Sequence, residues 1–351
     1  MAACLSASAA AVSCRLGRLA SGTGWTKVPS SKSAELGGLR LYDDSHPGYS
    51  RRAKGKGFTY FNAEGKPIDN PVILKRIQSL AIPPAWKNVW ISPLANGHLQ
   101  AVGVDDAGRK QYRYHEKWEE VRSSAKFDRA TAFGQALPRL RARVTRDLNL
   151  PGLPKEKVLA AAVRMLEKTL IRVGDKEYAD EHGTYGLTTL QDEHADISGT
   201  RVDLSFRGKS GVDHDINVDD AKLASVLEAS QRLPGLNLFQ YVDEAGKPHP
   251  LTAEDVNQYI GEALNGDFTA KDFRTWGGTM LAARILGAEP RPQSEKEANT
   301  VEAEAIKQVA EKLGNTPAVS RKSYIDPAVL QAYRDGSLQD WLSDHSEAKS
   351  R

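Results

Sequence analysis

The chain changes its hydrophobic period once, near Lys126, and that change limits the folds open to it. From about Leu36 to Trp118, short β-prone runs such as Phe58-Thr59-Tyr60-Phe61 and Val89-Trp90-Ile91 are broken repeatedly by Gly, Pro and Asn. Runs of that length between turn formers read as strands of a small β-rich domain. One helix is predicted inside it, over Pro71 to Leu80, where Val72, Ile73, Ile77 and Leu80 share a face and Pro83-Pro84 stops the chain. After Lys126 the period becomes helical. A long amphipathic run is predicted from Lys155 to Tyr178, with further helices near 219–230, 252–263, 269–286 and 298–313, and the acidic run Glu295–Glu304 reads as a linker into the last. Gly186 to Val218 is the exception: Leu187 and Thr189, then Val202, Leu204 and Phe206, alternate between turn signals at Ser198-Gly199 and Gly208–Gly211, which predicts a small antiparallel sheet. The fold class is α+β, a β-rich domain over 36–118 followed by a mainly α-helical domain over 119–351. Two domains also suit 351 residues, because single cores stop growing near ~250.

Charge divides along the same line. Residues 36–147 carry 20 Lys and Arg against 11 Asp and Glu, whereas residues 148–351 carry 24 against 33, although the whole chain is only +3. A basic first half favours a polyanionic partner, since each phosphate neutralised releases counterions; a solvated charged face is the plainer reading. Both cysteines, Cys4 and Cys14, precede the folded body, so disulfides and thiolate-bound zinc are not expected in it. No histidine pattern has metal-ligand spacing, no phosphate-binding loop of the G-x-x-x-x-G-K type occurs, and no apolar run approaches a membrane span. Neither a metal nor a nucleotide cofactor is expected. Residues 1–35, rich in Ala, Ser and Gly with Arg15 and Arg18, imitate a transit peptide but are read as a disordered extension or a start placed too far upstream.

Five positions carry candidate chemistry when read from the residues alone. Tyr324 closes the basic segment Leu313-Gly314-Asn315-Thr316-Pro317-Ala318-Val319-Ser320-Arg321-Lys322-Ser323-Tyr324, in which Gly314 and Pro317 mark a turn after a helix. A helix end, an Asn just beyond it and a Tyr nine residues later would bring an amide donor near a phenol. A phenol of pKa ~10 attacks poorly at neutral pH, so such chemistry needs cations around it. Arg172, in Thr169-Leu170-Ile171-Arg172-Val173-Gly174, is expected on an apolar helix face and needs a partner there; Arg274, between Phe273 and Trp276, is in the same situation. The pair could clamp a phosphate, or each could form an internal salt bridge to Asp or Glu. Lys209 lies at the tip of the turn Phe206-Arg207-Gly208-Lys209-Ser210-Gly211, where most lysines are simply solvated.

Taken in order, these segments resemble type IB DNA topoisomerases of the small, poxvirus-like bacterial kind. The resemblance spans about Leu39 to Leu342 and rests on Gly108-Arg109-Lys110-Gln111-Tyr112-Arg113-Tyr114, Gly183-Thr184-Tyr185-Gly186-Leu187-Thr188-Thr189-Leu190, Lys271 to Gly277, and Leu313 to Tyr324. It implies that Tyr324 attacks a phosphodiester to form a 3′-phosphotyrosyl link. Arg172 and Arg274 would hold the non-bridging oxygens, and Lys209 would protonate the departing 5′-oxygen, with Arg172 assisting. It puts Asn315 where many members carry His, a substitution that keeps a donor but removes charge and titration. It further implies that Arg109, Lys110, Gln111, Tyr112 and Tyr114 face duplex DNA, that the protein is a monomer clamped around the duplex, and that neither ATP nor metal is needed. For a bacterium the expected place is the cytoplasm, on the nucleoid. Two alternatives stay open: a tyrosine recombinase, although the position three before Arg274 is Lys271 and not the His of its usual H-x-x-R string, and a DNA clamp without chemistry.

Overall fold

The structure, a computed structural model, describes residues 38–55 and 57–347. The extension expected over 1–35, with both cysteines, lies outside the described residues. The rest divides into two compact units that meet between Lys126 and Phe127.

The first unit holds five antiparallel strands, β1 (Tyr49–Lys54), β2 (Gly57–Phe61), β3 (Lys87–Ile91), β4 (Leu99–Val104) and β5 (Lys110–Tyr114), in the order β2-β1-β3-β4-β5. Helix α1 (Pro71–Ser79) lies between β2 and β3, matching its apolar spacing; Asn70 caps it and Pro71 fits a first turn that has no use for its missing N–H. Ile77, Val89, Ile91 and Ala101 form its small core. Strand β5 is an edge strand, so its outer row of backbone groups has no neighbour in the sheet.

Helix α2 (Glu116–Asp147) begins ten residues earlier than the change of period at Lys126 indicates, and it runs across the boundary between the units. The second unit continues with α3 (Lys155–Thr169) and α4 (Lys176–His182). Strands β6 (Ala195–Ser198), β7 (Arg201–Arg207) and β8 (Asp213–Asp219) follow and pair in that order. Next come α5 (Ala221–Gln231), a short hairpin of β9 (Gln240–Val242) and β10 (Pro248–Pro250), α6 (Ala253–Leu264), α7 (Ala270–Ala288), α8 (Glu295–Leu313), α9 (Pro317–Ser323), α10 (Pro327–Asp335) and α11 (Ser337–Glu347). Helix α3 is the hub: Val158 to Val163, Met165 and Leu166 are all buried, and α5, α6 and α7 pack around it. A helix apolar on nearly every side must be enclosed by others.

Three expectations need correction. The run from Lys155 to Tyr178 is two helices, because Leu170 takes the left-handed conformation (φ 60°) and ends the first. Leu187 to Thr189 is one turn of 3₁₀ helix and not a strand. The acidic stretch at 295 is the first turn of α8 itself: Ser294 accepts from the Glu297 N–H, and Glu295 and Glu297 sit at the positive end of the helix dipole. Among the described residues no helix is long and apolar enough to cross a membrane.

Candidate active site

Arg172 is not on a helix face, as its apolar surroundings had indicated. Beyond Leu170 the chain leaves the helix, and the segment from Gly183 to Leu190 hydrogen-bonds to it: Leu187 N–H donates to the Arg172 carbonyl and Thr188 N–H to that of Val173, both at 2.8 Å. The approach is close enough to require glycine. A Cβ on Gly186 would stand 2.6 Å from the Gly174 backbone and 2.8 Å from the Arg172 oxygen. Tyr185 N–H, in the same segment, donates to the Arg207 carbonyl at 2.8 Å, so the segment joins the stretch around Arg172 to the β7–β8 hairpin.

Arg274, 4% exposed, rises from the first turn of α7. Its Nη1 donates to the Leu170 carbonyl at 2.5 Å and its Nη2 to the Leu313 carbonyl at 2.7 Å, while Nε is buried and has no partner among the described residues. Both acceptors lie at helix C-termini, where free carbonyls and the negative end of the dipole favour a cation. The internal salt bridges that the spacing left open are not formed: among the described residues, Arg172 and Arg274 bond to carbonyls and an amide, not to a carboxylate. Burial pushes both guanidinium groups below their usual range, and Arg172 adds to the effect on Arg274. A guanidinium is not deprotonated in proteins, so both keep their charge at neutral pH. Two cations held together without an anion cost desolvation energy that an incoming phosphate would offset.

The third wall is the turn after α8. Gly314 (φ 57°) ends the helix, Thr316 caps α9, and Pro317 occupies its first position. Asn315 Oδ1 accepts from Arg172 Nη2 at 2.6 Å, which leaves Asn315 Nδ2 buried without a partner and available to a ligand oxygen. Tyr324 follows α9. Its N–H donates to Ser320, Thr279 Oγ1 donates to its carbonyl at 3.2 Å, and the Arg274 guanidinium carbon is 5.1 Å from its ring centre. A Cβ on Gly278 would come within 2.7 Å of the Tyr324 oxygen, so α7 seats the tyrosine backbone directly.

Lys209 stands at the exposed tip of the β7–β8 hairpin, in a turn that Ser210 (φ 65°) and Gly211 (φ 72°) close. Arg172, Lys209, Arg274 and Tyr324 line one cleft of about 310 Å³ together with Tyr185 and Lys271. Asn315 joins it through Arg172. Gly278, Thr279 and the two carbonyls under Arg274 escape any reading of local sequence, since each acts through partners far along the chain. No group of three or more His, Cys, Asp or Glu among the described residues could hold a metal ion.

The five residues expected to face DNA belong to the other unit and lie on β5 and the turn before it. Arg109 pairs with Asp105 at 3.0 Å, Lys110 with Asp44 at 2.6 Å, and Gln111 Nε2 donates to Asp105 at 3.0 Å. Tyr112 is exposed and stacks on Tyr114, with ring centres 6.1 Å apart. The row combines phosphate-type cations with an amide and two phenols.

Comparison with known proteins matches residues 115–349 to the eukaryotic DNA topoisomerase I catalytic core and residues 57–105 to the bacterial DNA topoisomerase IB N-terminal domain. The chain is 35% identical to DNA topoisomerase 1B of Acanthamoeba polyphaga mimivirus, over 84% of this chain and 90% of that protein. It is 26% identical to DNA topoisomerase 1B of Vaccinia virus (strain Copenhagen), over 82% and 91%. Among solved structures, the XerH site-specific recombinase bound to its difH substrate aligns over 58% of this chain and 52% of that one, with 14% identity and a TM-score of 0.36.

Proposed function

The chain belongs to the type IB DNA topoisomerases, and we propose that Tyr324 is its nucleophile, with Arg172, Arg274, Asn315 and Lys209 completing the active site. The protein is an isomerase: it binds DNA and relaxes supercoils by cutting one strand, letting it rotate and resealing it. The observation that supports the residue assignment is the pair of arginines without carboxylates, opening on the cleft that Tyr324 and Lys209 share.

On this reading the Tyr324 oxygen attacks the scissile phosphorus as the P–O5′ bond breaks. The phenolic proton goes to solvent, and Lys209 delivers a proton to the departing 5′-oxygen. Arg172, Arg274 and the Asn315 amide hydrogen-bond the non-bridging oxygens, where negative charge grows in the pentacoordinate state. Donors already held in place, Arg274 by two helix C-terminal carbonyls and Arg172 by Asn315, need no reorganisation at that moment. The guanidinium groups do the neutralising, so no step is assigned to a metal ion. The phosphotyrosyl ester conserves the bond energy of the phosphodiester, so resealing is the reverse reaction and ATP has no part in it.

In the same reading, residues 36–118 contact DNA through Arg109, Lys110, Gln111, Tyr112 and Tyr114, and residues 119–351 carry the chemistry. One chain suffices to clamp the duplex, and its place is on the bacterial nucleoid. The test is relaxation of negatively supercoiled plasmid in EDTA without nucleotide, with detergent trapping of the adduct. Wild type should relax the plasmid and leave protein on the 3′ end. Tyr324→Phe should do neither, and any relaxation by that variant would overturn the assignment.

A further inference from the structure

His214 sits at the centre of the second unit's catalytic elements, yet the chemistry above gives it no role. It is the first inward-facing residue of β8, in register with Phe206 on β7, and their rings stack with centres 5.0 Å apart. The far edge of the imidazole lies against two glycines. A Cβ on Gly208 would stand 2.6 Å from its Cδ2 and 2.7 Å from Nε2; a Cβ on Gly314 would stand 2.6 Å from Cε1 and 2.9 Å from Nε2. Gly208 immediately precedes Lys209, and Gly314 immediately precedes Asn315. Gly314, at φ 57°, would be glycine for its backbone alone. Gly208 has φ −93° and ψ −173°, which any residue adopts, so the ring is what demands glycine there.

We propose that His214 is a positioning residue, a ring wedged between Gly208 and Gly314 that fixes the Lys209 hairpin tip against the turn carrying Asn315. The hairpin tip gains from such a brace: Lys209 lies beyond the last β7–β8 pair, Arg207 with Asp213, and the turn is closed by two backbone hydrogen bonds, Gly208 N–H to the Val212 carbonyl at 2.7 Å and Gly211 N–H to the Gly208 carbonyl at 3.1 Å. Burial, then Arg172 and Arg274, hold the imidazole below its usual range against the opposing pull of Asp213 and Asp215. The wedge is therefore uncharged at neutral pH. Misplacing a proton donor by about 1 Å can slow a reaction by about a hundredfold.

The inference rests on Lys209 as the acid, and the experiment separates the two claims. Single-turnover cleavage by the full-length protein is measured on duplexes whose scissile phosphate carries either the natural 5′-oxygen or a 5′-bridging sulfur, which leaves as thiolate without a proton. His214→Ala should cleave the oxygen substrate at least about tenfold more slowly than wild type and recover on sulfur, as Lys209→Ala should. Gly208→Ala, which displaces the ring from its other side, should show the same sulfur-dependent recovery and should add nothing to His214→Ala in the double variant. It also carries the test if His214→Ala does not fold. Failure of Lys209→Ala to recover on sulfur removes the acid assignment and this proposal with it. Recovery of Lys209→Ala without recovery of the His214 and Gly208 variants, or a wild-type rate for His214→Ala on oxygen, overturns the proposal alone.

Discussion

Arg172 takes the Asn315 oxygen and leaves the amide nitrogen buried without a partner among the described residues. An amide donates a hydrogen bond at any pH, so this part of the site should not titrate where a histidine would. The expected result is a single-turnover cleavage rate that shows no histidine-like step between about pH 5.5 and 7.5 in the wild type. Asn315→His should introduce one. Its imidazole would lie beside the Arg172 guanidinium, which disfavours a second positive charge, so the step should fall below the ordinary histidine value of about 6.5. The rate should rise as pH falls through it, since the protonated ring adds a charged donor near the phosphate. Superimposable pH profiles for the two proteins would show that position 315 does not touch the reacting group.

At the scale of elements, α7 organises the site along one of its faces, on which Arg274 and Gly278 stand one turn apart. Arg274 grips the C-terminal carbonyls of α3 and α8, and four residues on, Gly278 receives the backbone of Tyr324. Alanine in a helix interior is ordinarily favoured over glycine by about 0.5–1 kcal/mol. At Gly278 the new methyl would meet the Tyr324 carbonyl oxygen at 2.7 Å and its Cβ at 3.2 Å, and a backbone oxygen cannot swing away as a side chain can. Gly278→Ala should therefore lower the melting temperature and slow adduct formation by about tenfold or more through displacement of the nucleophile, while affinity for DNA is kept. A faster or more heat-stable Gly278→Ala protein would mean that α9 shifts freely and that α7 does not seat the tyrosine.

For the whole molecule the governing quantity is the charge distribution. Residues 36–147 are net +9 and residues 148–351 net −9, so a molecule of formal charge +3 attracts DNA through one part of its length. In that part Arg109 and Lys110 rest on Asp105 and Asp44 in exposed pairs, which contribute little and yield readily to phosphate. If both contact phosphate, Arg109→Ala and Lys110→Ala should weaken binding to any duplex alike. Each should reduce the slope of log affinity against log salt by about 0.9, measured by titration at several salt concentrations. Loss confined to particular sequences would make these residues base readers, and an unchanged slope would remove them from the interface.

Periodicity and turn chemistry made much of this protein legible from its residues. The change of period fixed a β-rich part before a helical one, Pro71 to Leu80 read as a helix, and Gly208–Gly211 as a hairpin tip. Gly314 and Pro317 marked the turn before Tyr324. These are short-range properties, set by how a few neighbouring residues share a face or reverse the chain. What the sequence left open depends on contacts between distant residues. Leu170 looks like a helical leucine and ends α3 in a left-handed turn, which takes Arg172 off the helix and into pairing with the segment around Leu187. That Arg274 forms no salt bridge to a carboxylate was decided by carbonyls 104 and 39 residues away. Only the packing of α3, α7 and α8 could bring those helix ends to one guanidinium and leave its charge for an anion from outside.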